Sequence, residues 1–381
     1  MSNDQIIKKL AKQLNGGNIE TPVSSIYGVN LPDETALRER VDDFFSSARV
    51  PGGTPHLRSE LDQILNQLYG TKPVPGKLFS HMSTEAVVVA DGSRPVFFVQ
   101  DDKLNTIGKP DGPFVDFVTK NVVALQSMAR SVGRVETDDR MAPPETDKWY
   151  EGTAFMVAPG VAMTNRHVLE RIVFENTSDS GPFTLRARYW LNFDAEYGNT
   201  QQTRFAVDGI LYVGEQVIGS GGDITKLDLA LLKIGKPEKP EAVLPAPLPL
   251  TYRTIPNGTK VALIGYPAAP RIYTGNGIPP ADYELESVMK NVFDARFGYK
   301  RCASGQVIAT PGFPTDNQRW TIQHDASTLS GNSGSPVVGL IDGDMQVSAL
   351  HFSGLPRQAN FAHVFETLTA ALRPYGLLSE K

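Results

Sequence analysis

The chain has 381 residues, of which 40% are hydrophobic and 21% are charged, and its net charge at pH 7 is −5. This length suffices for two or three compact units, and the slightly acidic charge gives no electrostatic support for binding nucleic acid. No apolar run reaches the length of a membrane span, the first residues lack the apolar core of a secretory signal, and the single cysteine, Cys302, excludes an intrachain disulfide. We therefore predict a cytoplasmic protein that binds neither membranes nor nucleic acid.

Residues 1–70 carry apolar side chains at helical spacing in three stretches, which predicts a small helical region. Residues 71–78 are rich in Pro, Gly and Lys and indicate a linker. Residues 85–99 then predict a β-hairpin with its turn at Asp91-Gly92. A helix is predicted over 114–130, leading into a strand over 132–136. Residues 71–130 thus form a second predicted region of linker, hairpin and helix.

From residue 131 onward, short apolar runs alternate with Gly, Pro, Asn and Asp, which is typical of an all-β barrel or sandwich. The strongest predicted strands cover 152–157, 160–164, 185–191, 229–234, 260–264, 305–308, 320–322, 336–340 and 346–350. A Pro-rich stretch over 236–249 falls near the middle and suggests two similar β halves. A final helix is predicted over 363–373.

Ser333 stands between two glycines in the stretch Gly331-Asn332-Ser333-Gly334. Glycines allow a sharp backbone turn, so the amides of Gly331 and Ser333 can converge on one point. A carbonyl oxygen that becomes an oxyanion needs such donors. A serine nucleophile also needs a base and a group that orients the base.

Two upstream residues can meet that need. His167 follows an apolar strand, and Asp228 stands at the mouth of a second strongly apolar strand. A neutral imidazole can accept the serine proton, and a buried carboxylate can orient the imidazole. Among the other histidines, His56, His81 and His363 lack a matching context and are interpreted as ordinary surface or core residues. His324 is interpreted as a barrel residue and Asp325 as a weaker rival to Asp228.

Four motifs together resemble the bacterial trypsin/chymotrypsin-fold serine peptidases, most of all the glutamyl endopeptidase and HtrA-type branch. These motifs are Gly152-Thr-Ala-Phe-Met-Val, Thr164-Asn-Arg-His-Val, Asp228-Leu-Ala-Leu-Leu and Gly331-Asn-Ser-Gly-Ser-Pro. The resemblance implies a mainly β protease domain over 131–381, built from two six-stranded β-barrels joined near 236–250. It also implies that His167 is the general base, Asp228 its partner and Ser333 the nucleophile, with the amides of Gly331 and Ser333 as the oxyanion hole.

The same resemblance suggests a substrate preference. Ser327 stands six residues before Ser333, where a trypsin-like preference for Arg or Lys would need an acid. Thr328 and His351 fall where glutamyl endopeptidases hold a substrate carboxylate. A hydroxyl and an imidazole can both donate to an acid, so Ser327, Thr328 and His351 form a predicted pocket for acidic side chains.

The sequence also gives expectations about how the enzyme is activated and regulated. Trypsin-like zymogens carry an Asp before the nucleophile, whereas this chain carries Asn332, so activation by a new N-terminus is not expected. We instead predict that residues 1–130 regulate or localise the protease by binding a protein partner. The long stretch between Pro267 and Gly305 is a second candidate control point.

The alternatives are a general HtrA-like quality-control protease and a catalytically silent protease fold used as a binding module. The HtrA-like alternative is weakened because the barrels are expected to end near residue 375, without room for a C-terminal PDZ domain. The binding-module alternative is weakened because all three triad residues are present. A lipase reading fails because α/β-hydrolases carry their triad in the order Ser, acid, His. No cofactor or metal is predicted, and the expected substrate is a protein or peptide.

Overall fold

A computed structural model describes residues 92–106, 109, 111–140, 149–175, 183–218, 223–253, 255–269, 289–355 and 358–377. All of them belong to one compact unit, 79–381. The helices predicted in 1–70 and the first strand of the predicted hairpin, 87–89, lie outside the described residues.

The described chain is mainly strand. The strands are β1 (Val96–Gln100), β2 (Lys103–Asn105), β3 (Val132–Thr137), β4 (Trp149–Ala158), β5 (Val161–Thr164), β6 (Val173–Glu175), β7 (Phe183–Leu185), β8 (Tyr189–Asn192), β9 (Arg204–Val213), β10 (Ala230–Pro237), β11 (Lys260–Gly265), β12 (Arg301–Ala309), β13 (Thr321–His324), β14 (Pro336–Ile341), β15 (Asp344–Leu355) and β16 (Ala359–Val364). The α-helices are α1 (Pro113–Lys120), α2 (Val122–Ala129), α3 (Arg166–Ile172) and α4 (Thr369–Leu372), and short 3-10 helices cover Phe365–Leu368 and Arg373–Tyr375.

The strands form two closed barrels. The first has the order β10-β5-β4-β3-β8-β9. In the second, β11-β14-β15-β16-β13-β12 is closed by the pairing of β11 with β12. The predicted fold class, mainly β with two six-stranded barrels, is confirmed for this part of the chain. Residues 238–259 connect β10 to β11, which agrees with the Pro-rich bridge expected between the halves.

Strand periodicity explains why each barrel packs both inside itself and against its neighbour. Along β11, Val261 and Leu263 point into the interior of the second barrel. Ala262 and Ile264, one residue out of phase, pack into a larger core that contains residues of both barrels and of α1 and α2. Because successive strand side chains face opposite sides, one strand can contribute to two cores. The segments that carry His167, Asp228 and Ser333 are attached to this doubly packed scaffold.

Three predicted elements need correction. The strand near 96–99 is present as β1, but its turn is Asp101-Asp102 and its partners are β2 and β12. The helix over 114–130 is divided at Asn121, whose side chain donates to the Phe117 carbonyl. The final helix begins later than expected, because β16 continues to Val364 and holds His363 within the sheet.

The β1–β12 pairing places the segment before the barrels directly on the second barrel. Val96, Phe97 and Phe98 lie opposite Ala303, Cys302 and Arg301, respectively. The predicted boundary at residue 131 stays a prediction, although β1 is hydrogen-bonded into the second barrel's sheet. Within the described ranges, no helix is both long and apolar enough to cross a bilayer.

Candidate active site

His167 and Asp228 form a buried pair in the first barrel. His167 lies in the first turn of α3, just after β5, and Asp228 lies two residues before β10. The Nδ1 atom of His167 is 2.6 Å from Oδ2 of Asp228, and the His167 amide donates to Oδ1 at 2.9 Å. The Asp228 side chain is fully buried, whereas His167 remains 6% exposed. The carboxylate therefore contacts His167 at two points, the imidazole ring and the backbone amide.

The electrostatics of this pair favour an ionised acid. Burial alone would raise the pKa of Asp228, but the charge of His167 and its hydrogen bonds lower the pKa overall. An ionised carboxylate accepts the Nδ1–H of His167, which fixes the tautomer with Nε2 as the acceptor. This Nε2 atom is buried and makes no hydrogen bond to any described residue, Ser333 included. Such bonds are often long in substrate-free enzymes and tighten when substrate binds.

The backbone of Asp228 is held from both sides. Its carbonyl accepts a hydrogen bond from Nδ2 of Asn165 at 2.8 Å, and its amide donates to Nε2 of His363 at 3.1 Å. Asn165 comes from the first barrel and His363 from β16 of the second. Neither contact was predicted from the sequence, and the interpretation of His363 as an ordinary residue is incomplete because it contacts the candidate acid.

Ser333 lies on the turn between β13 and β14, and the peptide groups of this turn have a defined orientation. The Ser330 carbonyl accepts from the Ala268 amide, and the Asn332 carbonyl accepts from the Ser335 amide at 2.9 Å. In a trans peptide the N–H points opposite to the C=O. The amides of Gly331 and Ser333 therefore point away from these contacts, and neither donates to another backbone group among the described residues.

Thr153 on β4 fastens this turn to the first barrel. Its amide donates to the Ser333 carbonyl at 2.9 Å, and its hydroxyl donates to the Gly331 carbonyl at 2.7 Å. A Cβ atom added to Gly152 would lie 2.8 Å from Val168 and 3.0 Å from the Ser333 carbonyl. Gly152 thus lies between Val168, the residue after His167, and the carbonyl of Ser333, so the segments that carry His167 and Ser333 approach each other closely.

The predicted pocket residues occupy the second barrel. The Thr328 hydroxyl donates to Oδ1 of Asn360 at 2.7 Å, and Nδ1 of His351 lies 3.3 Å from Nε2 of His324. Asn360 pairs with His324 across β13 and β16. His324, interpreted from sequence as an unrelated barrel residue, thus contacts the predicted pocket residue His351, and Asn360, which carried no signal in the sequence, contacts Thr328.

The histidines of this pocket are uncharged at neutral pH. Burial lowers the pKa of His324 to about 4, against a smaller opposing effect of Asp325. Burial also lowers the pKa of His351 well below its usual value, and the neighbouring His324 and His167 lower it further. Both imidazoles therefore act as hydrogen-bonding groups rather than as cations.

Ser327 and Asp325 contact the segment upstream of β1. The Ser327 hydroxyl donates to the Arg94 carbonyl at 3.0 Å, and the Arg94 guanidinium pairs with Asp325 at 2.6 Å. Asp325 is therefore engaged with Arg94, whereas Asp228 is the acid that contacts His167. Cys302 is buried, and burial raises the pKa of its thiol to about 12, so this thiol stays protonated and is a poor nucleophile.

Within the described part of the chain, no three His, Cys, Asp or Glu side chains form a group that could hold a metal ion. The arrangement consists instead of a buried acid–imidazole pair, a serine on a glycine-bounded turn, and two backbone amides beside it. These are the components of nucleophilic acyl transfer.

Comparison with known proteins agrees with this chemistry. Residues 152–345 match the family described as trypsin-like peptidase domain. A probable serine protease from Lysobacter enzymogenes is 30% identical over 312 residues, which cover 77% of this chain and 75% of that protein.

Among solved structures, the chain is similar to the Rv3671c protease from M. tuberculosis. An inactive mutant form of that protease is 16% identical, with a TM-score of 0.38, and the match covers 71% of this chain and 98% of that chain. The active form gives the same identity and TM-score over 69% and 88% of the two chains. On the sequence matches to the family and to the Lysobacter enzymogenes relative, the chain belongs to the trypsin-like serine peptidases.

Proposed function

We propose that this peptidase cleaves peptide bonds through Ser333, His167 and Asp228. The Ser333 hydroxyl oxygen attacks the substrate carbonyl carbon while Nε2 of His167 takes the hydroxyl proton. The oxyanion accepts hydrogen bonds from the amides of Gly331 and Ser333. The imidazolium then gives its proton to the leaving amine, and an acyl-enzyme forms. Water, activated by the same imidazole, attacks the acyl carbon and releases the second product.

One observation carries this proposal. The buried carboxylate of Asp228 contacts both Nδ1 and the backbone amide of His167, at 2.6 and 2.9 Å. This geometry leaves Nε2 as the proton acceptor on the cleft side, which a general base in acyl transfer requires. A protease fold retained only for binding would have no need of such a pair.

The test is steady-state hydrolysis of an unstructured protein substrate by the wild type and by Ser333→Ala and His167→Ala. Each variant is expected to lose at least about a thousandfold in kcat, with the far-ultraviolet circular dichroism unchanged, because residual activity would come only from binding and the oxyanion hole. Retained activity in Ser333→Ala would assign the chemistry to another nucleophile.

We further propose that the pocket beside Ser333 accepts acidic side chains. Support comes from the polar side chains of Thr328, Asn360 and His351 and from the ion pair of Asp325 with Arg94, which offsets the negative charge of Asp325. A substrate carboxylate accepts hydrogen bonds, and a hydroxyl or a neutral imidazole N–H can donate to it.

A peptide library tests this preference. Cleavage after Glu or Asp by the wild type, with Thr328→Val and His351→Phe losing the preference for Glu over Gln, supports the pocket. The Ser333→Ala variant is the blank. Cleavage after other residues would agree with the proposed peptidase activity and contradict the proposed preference for acidic side chains.

We also propose that the N-terminal region regulates or localises the enzyme through a protein partner. Support comes from the contact of Arg94 with Ser327 and Asp325, which connects the upstream segment to the pocket wall. Deleting 1–78 leaves the unit that contains β1 intact, whereas deleting 1–130 removes β1 from β12. A changed activity or the loss of a protein partner on deletion of 1–78 supports the proposed regulation. An unchanged activity and an unchanged set of partners would contradict it.

A further inference from the structure

His363 is the point at which the second barrel touches the acid of the first. It lies on β16, and its Nε2 accepts a hydrogen bond from the backbone amide of Asp228 at 3.1 Å. Both residues are fully buried, so water cannot replace this acceptor if the imidazole is removed. This inference rests on the proposed role of Asp228 in the triad.

The imidazole ring of His363 is held in a fixed plane by aromatic neighbours. It stacks on Phe352, with ring centres 4.2 Å apart and planes 11° apart, and it meets Trp320 edge to face at 5.6 Å. Trp320 is itself tied to the first barrel, because its indole N–H donates to the Ile224 carbonyl at 2.8 Å. The ring therefore has little freedom to move away from the Asp228 amide.

The protonation state of His363 suits an acceptor. Burial lowers its pKa to about 4, with smaller opposing effects of the Asp228 charge and of a backbone hydrogen bond at Trp320. Near neutral pH the ring is uncharged, so a nitrogen lone pair is available to the amide. An imidazolium would offer only donors and could not accept this bond.

The contact connects, through β15, to the turn that carries Ser333. His363 pairs with Leu350 of β15, and the next residue, His351, accepts the Gly334 amide and donates to the Ser335 carbonyl, each at 3.0 Å. The Asp228 amide is thus connected, through the paired strands β16 and β15, to both residues that follow Ser333. His363 fixes the backbone position of Asp228, and the two contacts with His167 then fix its side-chain torsions.

We propose that His363 is a positioning residue, which sets the Asp228 carboxylate relative to Ser333 by accepting the Asp228 amide across the two barrels. Its effect on the reaction passes through Asp228 and His167, and it does not touch the substrate. The role is specific to the acceptor nitrogen, and the ring's bulk alone cannot supply it.

Two substitutions distinguish the effect of the hydrogen-bond acceptor of His363 from the effect of the volume of its ring. His363→Phe keeps an aromatic ring between Phe352 and Trp320 but removes the acceptor. His363→Gln loses the ring but places an amide oxygen near the position of Nε2. The measurements are kcat and KM on the full chain, corrected for the active fraction by active-site titration, together with the low-field proton resonance of the His167–Asp228 hydrogen bond.

The expected result is a fall of about tenfold in kcat for His363→Phe, with KM within about twofold, and recovery of most of that loss in His363→Gln. The low-field resonance is expected to shift or broaden in the Phe variant and to return in the Gln variant. An unchanged kcat in His363→Phe, or equal losses in both variants, would overturn the proposal. If the triad assignment itself is wrong, activity survives in Ser333→Ala, and this outcome is distinct from the outcomes for the His363 variants.

Discussion

Thr153 shows how a single residue of one barrel can hold the turn that carries the candidate nucleophile, Ser333, of the other barrel. Its amide and hydroxyl bind the carbonyls of Ser333 and Gly331, and its own carbonyl accepts from the Thr164 hydroxyl at 2.7 Å. The turn that carries Ser333 is therefore fastened through its carbonyls. Its amides at Gly331 and Ser333 are left available for the substrate oxyanion.

Replacing Thr153 by Val removes the hydroxyl donor while preserving the side-chain shape. We expect kcat to fall by about tenfold, because the buried Gly331 carbonyl loses its partner and the oxyanion donors lose their orientation. Thr153→Ser keeps the hydroxyl and serves as the control, with kcat near that of the wild type. Equal kcat values in the Val and Ser variants would show that the hydroxyl does not position the turn.

Asp228→Asn tests the acid. The amide can present Nδ2–H toward His167 and thereby select the wrong tautomer, with the proton on Nε2. In proteases with this triad the corresponding change lowers kcat by about ten-thousandfold, and we expect a loss of about a thousandfold or more here, measured at pH 7. Activity within tenfold of the wild type would contradict the assigned role of Asp228.

The sequence predicted the triad because each member lies in its own local motif. His167 follows an apolar strand, Asp228 precedes one, and Ser333 lies between glycines. His363 and Arg94 carried no comparable signal. Their contacts join residues 135 and 231 positions apart, respectively, and depend on strand register, which a single sequence does not define.

At the scale of the element, the turn from β13 to β14 depends on glycine at defined positions. Gly334 has φ of +89°, and a Cβ atom there would lie 1.9 Å from the Thr153 carbonyl oxygen. Gly343, in the turn from β14 to β15, has φ of +95° and no atom within 4 Å of such a Cβ. These two glycines share a backbone conformation but differ in their surroundings.

This pair gives a matched experiment. Gly343→Ala is expected to cost about 1 kcal/mol of unfolding free energy, from backbone conformation alone, and to leave kcat unchanged. Gly334→Ala is expected to lose at least about a hundredfold in kcat, because the turn must move away from Thr153. Unfolding and hydrolysis are measured on the same preparations. Similar kcat values for the two variants would contradict the proposed close fit.

The elements that were predicted incorrectly have physical explanations. β9 was missed because Asp208-Gly209 in its middle has the composition of a turn, whereas irregular pairing with β10 accommodates it within a strand. β1 was assigned to a local hairpin because neighbouring strands usually pair. Its second partner is β12, some 200 residues away, and no local pattern indicates that contact.

At the scale of the whole molecule, the buried histidines make stability depend on pH. His363 has a folded pKa of about 4, below the ordinary value of 6.5. Between pH 6.5 and 4, His363 is therefore protonated in the unfolded chain and neutral in the folded chain. The stability that this difference contributes is present above pH 6.5 and is lost as the pH falls toward 4. His324 shifts in the same direction. The lowered pKa of Asp228 acts only at lower pH, below about 4.

We expect the free energy of unfolding to fall as pH is lowered from 7 to 5, with about 2 kcal/mol of the fall due to His363. Urea unfolding at the two pH values measures this change. His363→Gln should show a smaller fall by about that amount, because Gln does not titrate. If the free energy of unfolding depends on pH equally in the wild type and the variant, folding does not lower the pKa of His363.

The two-barrel architecture of the described part of the chain was predicted because the resemblance in motif order implied it, and the strand periodicity and the central Pro-rich stretch agreed with it. The pairing of the barrels did not follow, since it depends on residues such as Thr153 and His363 that reach across from one barrel to the other. These contacts connect the segments that carry Ser333 and Asp228, the candidate nucleophile and acid, to the opposite barrel.

The most direct measurement is labelling of the full chain with a fluorophosphonate probe, followed by mass spectrometry of the modified peptide. We predict one modified residue, Ser333, with labelling abolished in Ser333→Ala and slowed at least about a hundredfold in His167→Ala and Asp228→Asn. Labelling at another residue, or labelling of Ser333 at an unchanged rate in those two variants, would contradict a catalytic unit formed by His167, Asp228 and Ser333.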